Sequence, residues 1–112
     1  MLLYRPRLTS YKRLWPRLIT QLERTDNQYI PVMMPNWDHT PRSGVNGDLF
    51  VGCTPKEFEK HCRDVLTAVK EKDNPLIFIK SWNEWGEGNY MEPDLRYGKG
   101  YIQALRNAIQ SL

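Results

Sequence analysis

The segment that most limits how this chain can fold is the run 75–80, PLIFIK, followed at once by residues 81–94, SWNEWGEGNYMEPD. LIFI is β-branched and aromatic and too short for a helix of its own, so it predicts a fully buried strand of a parallel sheet. In such sheets ligand groups collect beyond the carboxyl ends of the strands. Two tryptophans, two asparagines and four acids stand directly behind this strand, a composition suited to an active-site rim.

The preceding elements give the strand its partners. YIPVMM at 29–34 predicts a second short buried strand, with Pro31 tolerated at an open edge. Thr54-Pro55-Lys56-Glu57 reads as a capping box with proline at the first helical position, and Phe58, Cys62, Val65, Leu66 and Val69 continue at helical spacing. A helix over 55–72 between strands at 29–34 and 75–80 makes a parallel crossover. Residues 35–53 form a long connection rich in Gly, Asn and Asp, of the kind that carries function in a compact domain. Tyr101, Ile102, Leu105, Ala108, Ile109 and Leu112 predict a closing helix over 98–111. Upstream, residues 1–9 lack a period. Tyr11, Leu14, Trp15, Leu18, Ile19 and Leu22 then predict a helix over 11–24, in which Pro16 forces a kink or a new start.

Paired carboxylates are the usual equipment for cleaving a glycosidic bond, one protonating the leaving oxygen and the other serving as base or nucleophile. Glu84 and Glu87 supply such a pair if Gly86 and Gly88 bend the chain, because residues three apart on a strand face opposite ways. The alternative is that both are solvated or cap loop amides. Trp37, Trp82, Trp85 and Tyr90 would offer flat faces to sugar rings, or else fill the core. Asn83, Asn89, Asp38 and Arg42 suit hydroxyl or carboxylate recognition, with a rim ion pair as the other reading of Asp38 and Arg42. Glu92-Pro93-Asp94 is expected to shape the loop.

Composition removes several other classes. The net charge of +3 is modest, and its basic excess near the amino end lacks the aromatic interleaving of a nucleic-acid module. That face could touch anionic lipid. Cys53 and Cys62 are too few and too widely spaced for a zinc or redox motif, so reduced thiols and a cytoplasmic setting are expected. His61 is placed on the polar side of its helix, no structural zinc is expected, and Gly44 and Gly47 lack the context of a phosphate loop. No cofactor is called for. No run reaches the roughly 18 apolar residues of a membrane span, and Met1-Leu2-Leu3 does not open a signal peptide.

The string WNEWGEGNYMEPD followed by YGKGY resembles the carboxyl-terminal signature of the WbsX-like bacterial polysaccharide proteins, and residues 29–112 fit the pattern. That family is similar in turn to the endo-alpha-mannosidase family of glycoside hydrolases, whose barrels carry an Asn-Glu-Trp-x-Glu-Gly segment after a late strand. The resemblance implies an α/β fold, the carboxyl-terminal fragment of a (β/α)8 TIM-type barrel with about two parallel strands and three helices. A whole barrel needs about 250 residues, so 112 residues are expected to form a single partial domain whose partner is the missing amino-terminal barrel portion. Glu84 would act as base on the sugar's neighbouring hydroxyl and Glu87 as general acid. His39 stands where the family usually has Asn. The implied substrate is a carbohydrate, with glycosyl transfer in lipopolysaccharide or O-antigen assembly as the alternative reaction. A location in the cytoplasm or at the periphery of the inner membrane would follow. The fragment alone is expected to be inactive for want of the rest of the barrel, and a catalytically silent remnant or sugar-binding piece is the second alternative function.

Overall fold

The computed structural model describes residues 5–112, so the reading of Met1-Leu2-Leu3 lies outside the described residues. Among the described residues, three two-stranded sheets and two long helices make up the architecture. β2 (Val32–Met33) and β4 (Phe78–Ile79) pair in parallel, Val32 against Phe78 and Met33 against Ile79, with α4 (Pro55–Val69) between them in sequence. This is the expected strand, helix, strand unit. A second parallel pair, β1 (Arg7–Ser10) with β3 (Asp48–Val51), joins segments that sequence periodicity left without structure. A short antiparallel hairpin, β5 (Asn83–Glu84) with β6 (Asn89–Tyr90), follows β4. The arrangement is a mixed α/β one built on small sheets.

The core lies where α4 meets α5 (Gly100–Gln110). Phe58, Cys62, Val65 and Val69 from α4 and Tyr101, Ala104 and Ala108 from α5 are all buried, each set three or four apart so that it lines one face. The alanines of α5 let the two helices approach closely, and Met33 of β2 and Met91 close the cluster. At the start of α4, Thr54 Oγ1 accepts from the Glu57 amide at 3.2 Å, while the Glu57 carboxylate turns away to take the Trp15 indole N–H at 2.9 Å. Only half of the expected capping box therefore forms.

Three readings are corrected. The helix expected over 11–24 breaks into α1 (Tyr11–Leu14), a 3-10 turn (Trp15–Arg17) and α2 (Gln21–Thr25). Pro16 has no amide to continue the ladder, and Thr20 begins a new helix with a complete capping box to Glu23. β4 is not buried: Leu76, Phe78 and Ile79 remain exposed, Phe78 at 56%. The strand has a partner on one edge only, and no described element covers its other side. His61 is not on a polar face but fully enclosed, at 0% exposure, with its ring against Tyr11, Trp15 and Phe58. The amino-terminal turns lie over that side of α4, widening its buried arc by one position.

The buried imidazole ties stability to pH. His61 Nε2 accepts the Met34 amide at 3.3 Å, Nδ1 has no partner among the described residues, and burial holds the ring's pKa down to about 4. Asp64 and Arg24, bound to each other at 2.7 Å, act on it in opposite senses. The unfolded chain takes up this proton near pH 6.5 and the folded chain only near 4, so stability is complete above the upper value and falls between the two. The loss should reach about 3 kcal/mol by pH 4. Urea unfolding at pH 7 and pH 4 measures it. Glu57 and Glu59, both held below the usual carboxylate range by side-chain hydrogen bonds, add an acid loss of the same sign. The His61→Gln variant isolates the imidazole share, and a slope unchanged by that substitution would contradict the assignment.

Candidate functional site

The hairpin after β4 is fixed from below by two asparagines. Asn36, at the carboxyl end of β2, accepts the Tyr90 amide on Oδ1 at 2.8 Å and donates Nδ2 to the Tyr90 carbonyl at 3.2 Å, so its side chain replaces a strand neighbour. Asn89, fully buried, donates to the carbonyls of Asn36 at 2.7 Å and Lys80 at 3.0 Å. The ends of both parallel strands are thereby tied to one loop. An amide committed in this way braces the rim from inside.

Between β5 and β6 the chain makes a 3-10 turn over Trp85–Glu87. Gly88 leaves it in the left-handed region, at φ 52°, and a Cβ there would lie 2.6 Å from the Asp38 Cβ. Only glycine allows this approach, through which the Asp38 amide reaches the Glu87 carbonyl at 2.9 Å. The turn removes the strand alternation, and both acids reach one cation. Arg42 Nη2 stands 2.9 Å from Glu84 Oε1, and Arg42 Nε stands 3.8 Å from Glu87 Oε1. Gly86 makes room for the guanidinium, since a Cβ at that position would meet Arg42 Nη2 at 2.7 Å. All three side chains keep substantial exposure, so the ion pairs add at most about 1 kcal/mol to stability and remain open to exchange with a ligand.

Around this triplet the aromatic residues divide into two groups. Trp85 stacks on Tyr90 with centroids 3.9 Å apart, and its indole N–H donates to Glu92 at 2.8 Å. Tyr90 donates its hydroxyl to Asp94 at 2.7 Å, and Asp94 also takes the Tyr97 amide. Glu92 and Asp94 thus shape the loop. Trp37 stacks on His39 at 5.6 Å and lies under the Lys80 ammonium at 5.2 Å. His39 Nδ1 is bonded to the Ser43 hydroxyl. Asp38 Oδ1 accepts both the amide and the hydroxyl of Thr40, starting the short helix α3 (Thr40–Ser43) that carries Arg42. Trp82 is 54% exposed and Asn83 is also exposed, free to meet a ligand.

Of the residues expected at a site, Glu84, Glu87 and Arg42 form one cluster, Trp37 and Asp38 adjoin it across Gly88, and Trp85 and Tyr90 make its aromatic flank. A cleft of about 290 Å³ opens beside them, with Asp38, Gly88 and Tyr90 in its lining and the two glutamates outside it. Phe50, Arg96, Tyr97 and Tyr101 complete that cleft and were not anticipated. Only Tyr97 and Tyr101 carry a signal in the sequence, in YGKGY, where a tyrosine beside a positive-φ glycine returns the chain to α5. Among the described residues no helix is long and apolar enough to cross a membrane.

No solved structure matches the chain. Proteins from two strains of Xanthomonas campestris pv. campestris, each named "Uncharacterized protein WxcX", are 30% identical to it over 105 residues, which cover 85% of this chain and 14% of theirs. The chain therefore spans about a seventh of the length of the curated relatives it matches. The family described as "Glycosyltransferase WbsX" matches residues 1–105, and the chain belongs to that WbsX family.

Proposed function

We propose that this chain forms part of a carbohydrate-active protein of surface-polysaccharide assembly, in which Glu84 and Glu87 are the acid/base pair at a glycosidic bond. The observation that carries this reading is the convergence of both carboxylates on Arg42, on one side of a turn flanked by the Trp85–Tyr90 stack. Free of substrate, the guanidinium offsets the repulsion between two like charges held close together. A sugar entering the rim would exchange hydroxyl contacts for that ion pair, leaving one glutamate to accept a proton and the other to donate one. Following the related mannosidases, Glu84 takes the base role at the neighbouring hydroxyl and Glu87 the acid role at the leaving oxygen. Trp82 and Trp85 would bear on the faces of adjoining rings, with Asn83 at their edge.

The parallel β2–β4 pair with its ligand groups at the carboxyl ends supports placing the site on the rim of a (β/α)8 barrel completed by other parts of a longer protein. The exposed apolar side of β4 suits such a neighbour. We place the protein in the cytoplasm or at the periphery of the inner membrane, a reading that the two free thiols of Cys53 and Cys62 support.

The family's description favours transfer from an activated donor as the second reading. The two reactions separate by what must be supplied. A full-length family member carrying this segment should release new reducing ends from a free oligosaccharide with no nucleotide-sugar present. An absolute requirement for a nucleotide-sugar, with stoichiometric nucleotide release, would replace hydrolysis by transfer.

A further inference from the structure

The cleft beside the acidic turn has its own chemistry. Trp37, Phe50, Tyr90, Tyr97 and Tyr101 supply its walls, and its volume of about 290 Å³ is at the small end of ligand pockets, enough for one sugar ring. Burial pushes the Tyr90 and Tyr101 hydroxyls and the Cys53 thiol well above their ordinary values, the thiol to about 12, so these groups are neutral. Only two lining residues carry charge, Asp38 and Arg96. Asp38 has one carboxylate oxygen engaged by Thr40, and its second is without a hydrogen bond among the described residues. Arg96 lies over the Tyr97 ring at 5.1 Å and makes no ion pair among the described residues. A guanidinium stacked on an aromatic face keeps its donor edge free for a planar carboxylate.

We propose that this cleft is a subsite for an acidic sugar, a hexuronate ring resting on the aromatic walls with its carboxylate on Arg96 and its hydroxyls toward Asp38. This rests on the carbohydrate reading of the neighbouring turn and names the class of sugar that the turn would be offered. The charge pattern sets the orientation, because Asp38 repels the ligand's carboxylate and Arg96 is the one cation in the lining. A neutral hexose would stack as well but would leave Arg96 without its partner.

Calorimetric titration of the 112-residue chain with D-glucuronate, D-glucose and acetate tests this by binding alone, so the outcome does not depend on whether Glu84 and Glu87 turn a sugar over. Glucuronate should bind at least about tenfold more tightly than either glucose or acetate, the difference expected of a single charge-assisted contact. Arg96→Gln should abolish the preference over glucose and Arg96→Lys should restore part of it. Arg96 is exposed and outside the core, so neither exchange should alter the circular dichroism of the helices. Equal affinity for glucuronate and glucose, acetate binding as tightly as glucuronate, a preference that survives Arg96→Gln, or no binding to a chain with intact helical dichroism would each overturn the proposal.

Discussion

Replacing Phe58 by alanine is expected to remove about 3–5 kcal/mol of stability, the range for deleting a fully buried aromatic ring. Phe58 is 0% exposed at the centre of the α4–α5 contact, edge-on to Tyr101 at 5.8 Å and beside His61 at 6.3 Å. Small domains hold only about 5–15 kcal/mol in total, so this loss is a large part of what keeps the chain folded. The effect should also reach the site. Tyr101 meets both Tyr90 and Tyr97 at 6.0 Å, so a cavity under its ring loosens the wall that the hairpin and the cleft share. Urea unfolding followed by far-UV dichroism measures the change, and Phe58→Leu, which keeps most of the volume, should lose less than about 1.5 kcal/mol. A loss under 1 kcal/mol for the alanine variant, roughly the level of a surface exchange, would show that the core is centred elsewhere.

What could be read from the sequence follows from which forces were local. α4 and α5 were legible because their apolar residues recur at three and four and their burial follows that spacing. The parallel pairing of β2 with β4 was legible because the strand, helix, strand order leaves few other topologies. The β1–β3 pair was not. Arg7 and Asp48 lie 41 positions apart and meet through an exposed ion pair at 2.9 Å, and neither strand carries an alternating apolar pattern. His61 was misplaced because helical spacing alone cannot show which side of a helix the preceding turns will cover.

Around the site, the residue types were legible and their roles only in part. The bend that brings Glu84 and Glu87 together was signalled by Gly86 and Gly88. That Arg42 would be their common partner depends on a contact across 42 positions, which no local pattern records. By residue type Asn89 suits a ligand group, yet its amide is occupied in bracing the ends of two strands. Asn36 went unnoticed for the same reason, since a side chain that completes a backbone ladder looks in sequence like any loop asparagine.

Exchange of each glutamate for glutamine in a full-length family member, at the positions matching Glu84 and Glu87, separates proton chemistry at the pair from a merely structural ion pair. Glutamine keeps the shape of the side chain and an oxygen for Arg42 while removing the charge and the exchangeable proton. Because both carboxylates are only half-buried and their ion pairs contribute little to folding, the melting temperature should stay within a few degrees of the parent. Turnover of the sugar substrate should fall by about 10²–10⁴-fold for either single exchange, the range for losing a general acid or base. Combining both exchanges should cost far less than the product of the two losses, because the residues act as a unit. Turnover within about threefold of the parent, less than 1 kcal/mol of barrier, for either single variant would contradict the assignment of Glu84 and Glu87 as the acid/base pair.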